Sequence, residues 1–239
     1  MRVPSTEVQN NFGKYMNIAA TREDVTVTRL GVDIIKMIPC TGSKMGVEEQ
    51  ASAYFTDGSK HISAVEFREM IRGTHQRFEL IAGIIYRMDS PNYFHQRASA
   101  KLLIAFSHWF EGKTCVPITA PFDITLAEDE EHIHIVQPDL AVLCDPENMD
   151  RDGRYIGTPS LVVELTSRSS RDHDMFRKLH LYRMTGVREY WIVDIQKQHC
   201  IGYCFNDCAI ADSSLFTGES IVVSTLFDGL QLPLKQIFP

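Results

Sequence analysis

Apolar positions along the chain change their period several times, and the changes divide it into two units joined by a polar stretch. In the first unit Val8, Phe12, Tyr15 and Ala19 recur at three- and four-residue steps, the stripe of a helix, with Thr6 and Gln9 at capping-box spacing near its start. Residues 25–28 and 34–38 then read as two strands about the turn Arg29-Leu30-Gly31, and Pro39 closes the second. A helix and one hairpin of this size leave apolar faces uncovered, so this piece predicts a dimer. Residues 41–61 are polar, hold three glycines and keep no period, which marks a linker.

From Ile62 the second unit begins. Ser63 and Glu66 form another capping pair around Val65, Phe67 and Met70, and residues 79–88 read as a hairpin or bent strand about Gly83. Ala98, Leu102, Ala105, Phe106 and Trp109 form the apolar stripe of a helix over 95–110 that Gly112 ends. Strand signals follow at 115–119, 122–126, 135–144 and 161–166. A helix over 171–184 stops at Gly186, and a nearly all-apolar strand covers 190–194. Strands mixed with two substantial helices predict an α/β fold, a mixed sheet flanked by helices on both faces.

Composition changes this picture little. At 239 residues, 44% hydrophobic and 23% charged, the chain can bury a large core. Neither a membrane-length apolar run nor a signal-peptide stretch is visible, so a cytoplasmic location with no membrane contact is expected. Charge is more informative. The net charge is −7, yet residues 1–46 carry six basic side chains against four acidic ones, a surplus of two that leaves −9 for the remainder. An acidic body excludes a broad nucleic-acid-coating surface but suits a site whose carboxylates await a cation. Of the six cysteines, Cys40, Cys115 and Cys144 are scattered, as expected of reduced thiols. Cys200, Cys204 and Cys208 are spaced by four without the C-x2-C pair usual for zinc.

The candidate chemistry lies in two strands. In Val136-Gln137-Pro138-Asp139-Leu140-Ala141-Val142 a carboxylate follows proline and opens an apolar strand. In Leu161-Val162-Val163-Glu164-Leu165 another interrupts one. A lone buried glutamate costs several kcal/mol, roughly, unless paired, protonated or metal-bound. The plain alternative makes Asp139 a turn residue and gives Glu164 an arginine partner. In the helix after Glu164, Asp174, Lys178 and Tyr182 fall at steps of four and share one face, which lets Lys178 project toward the carboxylates. A lysine there orients water or offsets phosphorane charge.

Two resemblances sharpen these expectations. The runs STEVQNNFGKYMNIA and VTVTRLGVDIIKMIP resemble the N-terminal module of the Phd/YefM antitoxins, which implies a small α+β dimerising, DNA-binding head over residues 1–40. The amphipathic tail by which that family wraps its toxin is missing. Residues 62–239 resemble the PD-(D/E)xK nucleases and, within them, the Uma-two family. The resemblance rests on FELIAGIIYRM, His95-Gln96, APFDITL, VQPDLAVLCD, GTPSLVVELTS, RDHDMFRKLHLYRMTGVREYWIVD and GESIVVSTLFDGLQLPLKQIF. It implies a restriction-endonuclease-like fold with Asp139 and Glu164 as ligands of Mg²⁺ or Mn²⁺, and Glu79 as an additional one. Thr166 stands where the superfamily has its lysine, so the resemblance moves that role to Lys178 on the next helix. Gln137 and His95 would have supporting roles, and Tyr182 and Trp191 would belong to the core. His132 and His134, in an acidic segment, read as a solvated hairpin tip.

The leading expectation is therefore a metal-dependent endonuclease acting on DNA as a homodimer. The alternatives are a catalytically inactive DNA-binding regulator, or a fusion of toxin–antitoxin type in which the head restrains its own nuclease or meets a toxin or antitoxin partner.

Overall fold

The apolar stripe from Val8 to Ala19 folds, in a computed structural model of the chain, as two short helices rather than one. Residues 1–21, 24–29, 32–37, 61–129, 132–166 and 177–238 are described; they fall in two units, Met1–Glu49 and Gln50–Pro239. In the first unit α1 (Ser5–Asn10) and α2 (Phe12–Thr21) meet at Asn11, whose side chain bonds Glu7 Oε1 at 3.2 Å. The break resets the helical phase, so Phe12 is 40% exposed while Val8, Tyr15 and Ala19 stay buried. The Thr6–Gln9 capping box does not form, because α1 begins directly after Pro4 and puts Thr6 inside its first turn. A strand absent from the sequence reading, β1 (Arg2–Pro4), lies parallel to β2 (Val25–Arg29), which pairs antiparallel with β3 (Val32–Met37). Val3, Val8, Tyr15, Ala19, Val25 and Val27 form this unit's core. The turn at Leu30-Gly31, Pro39 and nearly all of the expected linker lie outside the described residues.

The second unit opens with α3 (Ala64–Met70), whose capping box forms as expected. Ser63 Oγ accepts from the Glu66 N–H, and Glu66 Oε2 accepts from the Ser63 N–H at 2.9 Å. So short a helix buries one large side chain, Phe67, and leaves Val65 and Met70 exposed. The hairpin of β4 (Phe78–Ile81) and β5 (Ile84–Arg87) turns at Ala82 and Gly83, both at positive φ. A Cβ on Gly83 would stand 2.6 Å from His61 Nδ1. Next come α4 (Tyr93–Phe110), β6 (Val116–Thr119), β7 (Ile124–Ala127), β8 (Ile133–Val136), β9 (Leu140–Leu143), β10 (Tyr155–Ile156) and β11 (Leu161–Thr166). The chain ends with α5 (Leu179–Met184), β12 (Glu189–Asp194), β13 (His199–Asn206), β14 (Ala209–Thr217), β15 (Ile221–Val223) and β16 (Gln231–Pro233). The expected helix over 171–184 is seen only in its last part, since residues 171–176 lie outside the described ones.

These strands build two mixed sheets where one was expected. One has the order β10-β7-β8-β4-β5, the other β14-β13-β12-β11-β9-β6, and β15 pairs with β16 separately. The single strand expected over 135–144 is in fact β8 in the first sheet and β9 in the second. Pro138 has no N–H for a ladder, and the segment Gln137-Pro138-Asp139 carries the chain from one sheet to the other. Each face of the six-stranded sheet is covered differently. On one side Ala98, Leu102 and Phe106 of α4, with Val222, Leu232 and Leu234, pack on Leu140, Val142, Leu161, Val163 and Trp191. On the other, Ala141, Leu143, Val162 and Ile192 pack on Ile124, Leu126 and Val136 of the five-stranded sheet and on Leu181 and Tyr182 of α5. That double burial is why β11 and β12 are buried at every position and read as continuous apolar runs.

Cys115 and Cys144 are joined by a disulfide, not reduced as expected. β6 and β9 pair antiparallel with Val116 opposite Leu143, so the next residue outward on each strand comes opposite its counterpart. Residues 29 apart in sequence thereby have Cα atoms 4.0 Å apart.

Candidate active site

The crossing between the two sheets gathers the polar side chains of the second unit. Glu79 lies on β4, Gln137 and Asp139 on the crossing, Glu164 on β11, His95 in the first turn of α4, and Lys178 with Tyr182 at α5. Glu164 belongs to the face of β11 that carries Val162, toward the five-stranded sheet and α5. β9 and β11 pair with Leu140 opposite Val163, so one step further along the antiparallel register Asp139 comes opposite Glu164. Residues opposite each other in such a pair project to the same face.

Lys178 links two of the carboxylates. Its Nζ donates to Glu164 Oε1 at 2.8 Å and to Glu79 Oε1 at 3.0 Å. All three residues are at most 3% exposed. The Tyr182 hydroxyl donates to the same Glu164 oxygen at 2.7 Å. Lys178 and Tyr182 stand one helical turn apart, so their shared reach follows from the step of four. Asp174, the third residue of that face in sequence, lies outside the described residues. Burying a lysine is costly unless carboxylates meet it, as Glu79 and Glu164 do here.

Asp139 is held on the other side. Its Oδ2 accepts from the Leu165 N–H at 2.9 Å and lies 3.2 Å from His95 Nε2. Asn92 caps α4 by accepting from the His95 N–H, which fixes the turn that points the imidazole at Asp139. Burial, the largest influence on His95, would lower its pKa. The hydrogen bond and charge of Asp139, with the Leu165 backbone, reverse this, and the net shift is upward. Gln137 joins the halves of the site: its N–H donates to Glu79 Oε1 at 2.9 Å, its Oε1 accepts from Arg77 Nε at 2.7 Å, and its Nε2 donates to Asp123 Oδ1 at 2.7 Å.

Two nitrogens here have no partner among the described residues. Among these residues His95 Nδ1 and Arg77 Nη2 are buried and make no hydrogen bond, and on β11 the buried Thr166 Oγ1 makes none either. Leaving such a group unpaired costs about 1–3 kcal/mol. Among the described residues Asp139 Oδ1 likewise takes no hydrogen bond. Among the described residues three carboxylates, Glu79, Asp139 and Glu164, thus gather with Lys178 and His95. Among the described residues no group of three His, Cys, Asp or Glu side chains is arranged to enclose an ion. An ion of the magnesium type needs no such cage, because it takes one or two carboxylates and completes its octahedron with water and substrate oxygens. Asp139 and Glu164, on one face, fit that pattern.

The remaining expectations fare unevenly. Glu79, Gln137 and His95 all fall within the cluster. Tyr182 is core, as expected, yet also a hydrogen-bond donor to Glu164, and Trp191 is core with its indole N–H on Glu189. His134 is buried rather than a solvated tip. Its Nδ1 accepts from the Ala82 N–H, Nε2 lies 3.2 Å from Glu128, and burial pushes its pKa down against the pull of Glu128. His132 is the exposed member, paired with Asp129. Arg77 went unnoticed in the sequence, although it stands two residues before Glu79, where alternation puts both on one side of a strand. Glu189 also went unnoticed: its carboxylate accepts from Ser224 Oγ at 2.5 Å and from the N–H groups of Thr225 and Leu226 at 3.1 Å.

Comparison with known proteins gives three findings. A family model described as Uma2, "Putative restriction endonuclease", matches residues 64–235. An uncharacterized protein of Synechocystis sp. is 28% identical over 118 residues, 49% of this chain, and the match spans 58% of that protein's length. The crystal structure of a "putative nuclease belonging to DUF820" from Anabaena variabilis superposes with a TM-score of 0.60 at 17% identity, over 74% of this chain and 97% of that one, a likeness of fold.

Proposed function

The chain belongs to the Uma2 family, whose members are described as putative restriction endonucleases, and from that premise we propose that it is a divalent-metal-dependent endonuclease hydrolysing phosphodiester bonds in DNA. The observation that carries the reading is the buried assembly of Lys178 between Glu79 and Glu164, with Asp139 opposite Glu164 at the mouth of β9. Packing alone gives no reason to bury two carboxylates and a lysine at one sheet crossing, since apolar residues of like volume are often as stable or more so.

Asp139 and Glu164 would hold Mg²⁺ or Mn²⁺, with Glu79 at the edge of the set. When bound, the ion would supply Lewis-acid charge to the scissile phosphate and lower the pKa of water. The protein groups do the rest. Tyr182 and Lys178 fix Glu164 through one oxygen, leaving its orientation little freedom. His95 and the Leu165 N–H fix Asp139 through Oδ2, which leaves Oδ1 as the oxygen that would ligate the ion. Lys178 orients the attacking water and offsets charge as the phosphorane forms. The unpartnered nitrogens of Arg77 and His95 suit the oxygens of an anionic substrate.

The first unit lies outside the family match. Its likeness to Phd/YefM heads supports a DNA-binding, dimerising role, as do Ile34 and Ile35, 48% and 58% exposed on the edge strand β3.

Plasmid cleavage by the purified protein tests the central reading, with Mg²⁺ or Mn²⁺, beside EDTA and beside Glu164→Ala. Nicking that requires the ion and falls at least about a hundredfold in the variant is expected. Ion-dependent nicking equally strong in Glu164→Ala would remove the site from the reaction. No nicking by the wild type, with retained binding to its own promoter DNA, would favour a regulator.

A further inference from the structure

The first turn of α4 has two faces of opposite character. Inward, His95 reaches Asp139. Outward, Tyr93 and Phe94 stand 69% and 54% exposed, with ring centroids 5.5 Å apart and planes crossed at 74°. The pair is no accident of a frayed end, because the Asn92 cap holds the turn. Arg97 lies four residues after Tyr93 and three after Phe94, so all three share one patch of helix surface. Arg97 is exposed, and among the described residues it makes no ion pair. A cation on the same helix surface as two exposed rings, in an otherwise acidic protein, is complementary to a base and its phosphate. The two rings stand in the same helical turn as His95, which reaches Asp139 of the candidate active site.

Resting on the nuclease reading, we propose that Tyr93 and Phe94 form a stacking platform for an unpaired nucleobase next to the scissile phosphate, with Arg97 on the flanking phosphate. The substrate class is accordingly single-stranded or locally unstacked DNA. Every base offers a π-face, so such a platform holds a strand without reading its sequence. A base inside an intact duplex offers no free face, which makes the platform selective for strand state.

The test is fluorescence anisotropy of the full-length protein with Ca²⁺ as the ion. Its probes are a short single-stranded oligonucleotide, its abasic counterpart and the duplex of the same sequence. Tyr93→Ala/Phe94→Ala should bind the single strand about tenfold or more weakly. Its affinity for the duplex and the abasic strand should stay within about twofold of wild type, a spread within ordinary surface effects. Tyr93→Phe, which keeps both rings, should bind as wild type, and Arg97→Gln should lower the salt slope by about one. A thermal melt of each variant identifies any that fails to fold. Equal losses on all three probes, or no loss on any, would overturn the platform. So would an altered oligomeric state of the double variant with unchanged DNA affinity, which assigns the rings to a second copy of the chain. Unchanged binding alongside retained cleavage sinks this inference alone, whereas a wild type that binds none of the probes sinks the nuclease reading with it.

Discussion

Tyr182 illustrates how much a single buried oxygen can do. As an aromatic on a helical stripe it belongs to packing, and its ring does meet Tyr190. Its hydroxyl also donates to the Glu164 oxygen that Lys178 holds. Tyr182→Phe keeps the ring and leaves Glu164 with one donor fewer, at a cost of about 1–3 kcal/mol in a denaturant melt. Cleavage should fall with it as Glu164 loosens. Lys178→Met should cost more, about 3–5 kcal/mol, because Glu79 and Glu164 would then be buried without their shared cation. Replacing Glu79 by Gln in the same chain should return part of that stability without returning activity. A full return of both would mean that Lys178 serves only to neutralise charge.

Strands and helices are tied together by polar anchors as well as by apolar area. Glu189, at the start of β12, collects the Trp191 indole, the Ser224 hydroxyl and two backbone N–H groups. It thereby docks the segment that connects β15 to β16, next to the face that α4 covers. Glu189→Ala would remove the acceptor of the Trp191 indole, the Ser224 hydroxyl and the Thr225 N–H, while the Leu226 N–H keeps Ser224 Oγ. A loss of several kcal/mol, about 3 or more, is therefore expected in the melting curve. Limited proteolysis after residue 220 should speed up as well; cleavage at the wild-type rate would assign the docking to apolar contacts instead. The disulfide between β6 and β9 acts at the same scale. Closing a loop between residues 29 apart restricts the unfolded chain by roughly 2–4 kcal/mol. Reduction by dithiothreitol, or Cys115→Ser, should lower Tm accordingly, and an unchanged Tm would mean that the bond contributes nothing in solution.

For the molecule as a whole, the chain falls into two units of different charge and pattern. The first has a small core, and its edge strand β3 has Ile34 and Ile35 exposed beside a register shift against β2. If that edge is where two copies meet, Ile34→Lys/Ile35→Lys should convert a dimer to a monomer in analytical ultracentrifugation and leave cleavage of single-stranded DNA within about threefold, since the substituted side chains are on the surface. A dimer that survives both substitutions would move the interface elsewhere. No helix among the described residues is long and apolar enough to cross a membrane.

The local periods of this chain were set by its sequence alone: the hairpin about Gly83, the capped α3, the long α4 and the buried β11 and β12 all follow from spacing, caps and turns that act over a few residues. Asp139 and Glu164 stood out for the same reason, as charges interrupting apolar strands. Tertiary structure decided what distance in sequence hides. It divided one apolar run at Pro138 between two sheets, and it covered one face of the larger sheet with a second sheet. It brought Cys115 to Cys144, put Arg77 and His95 beside the carboxylates, and set Lys178 between Glu79 and Glu164, residues 99 and 14 positions away. A carboxylate's need for a partner can be read from one strand. Which partner it receives depends on which elements pack against that strand, and such packing is a property of the whole chain.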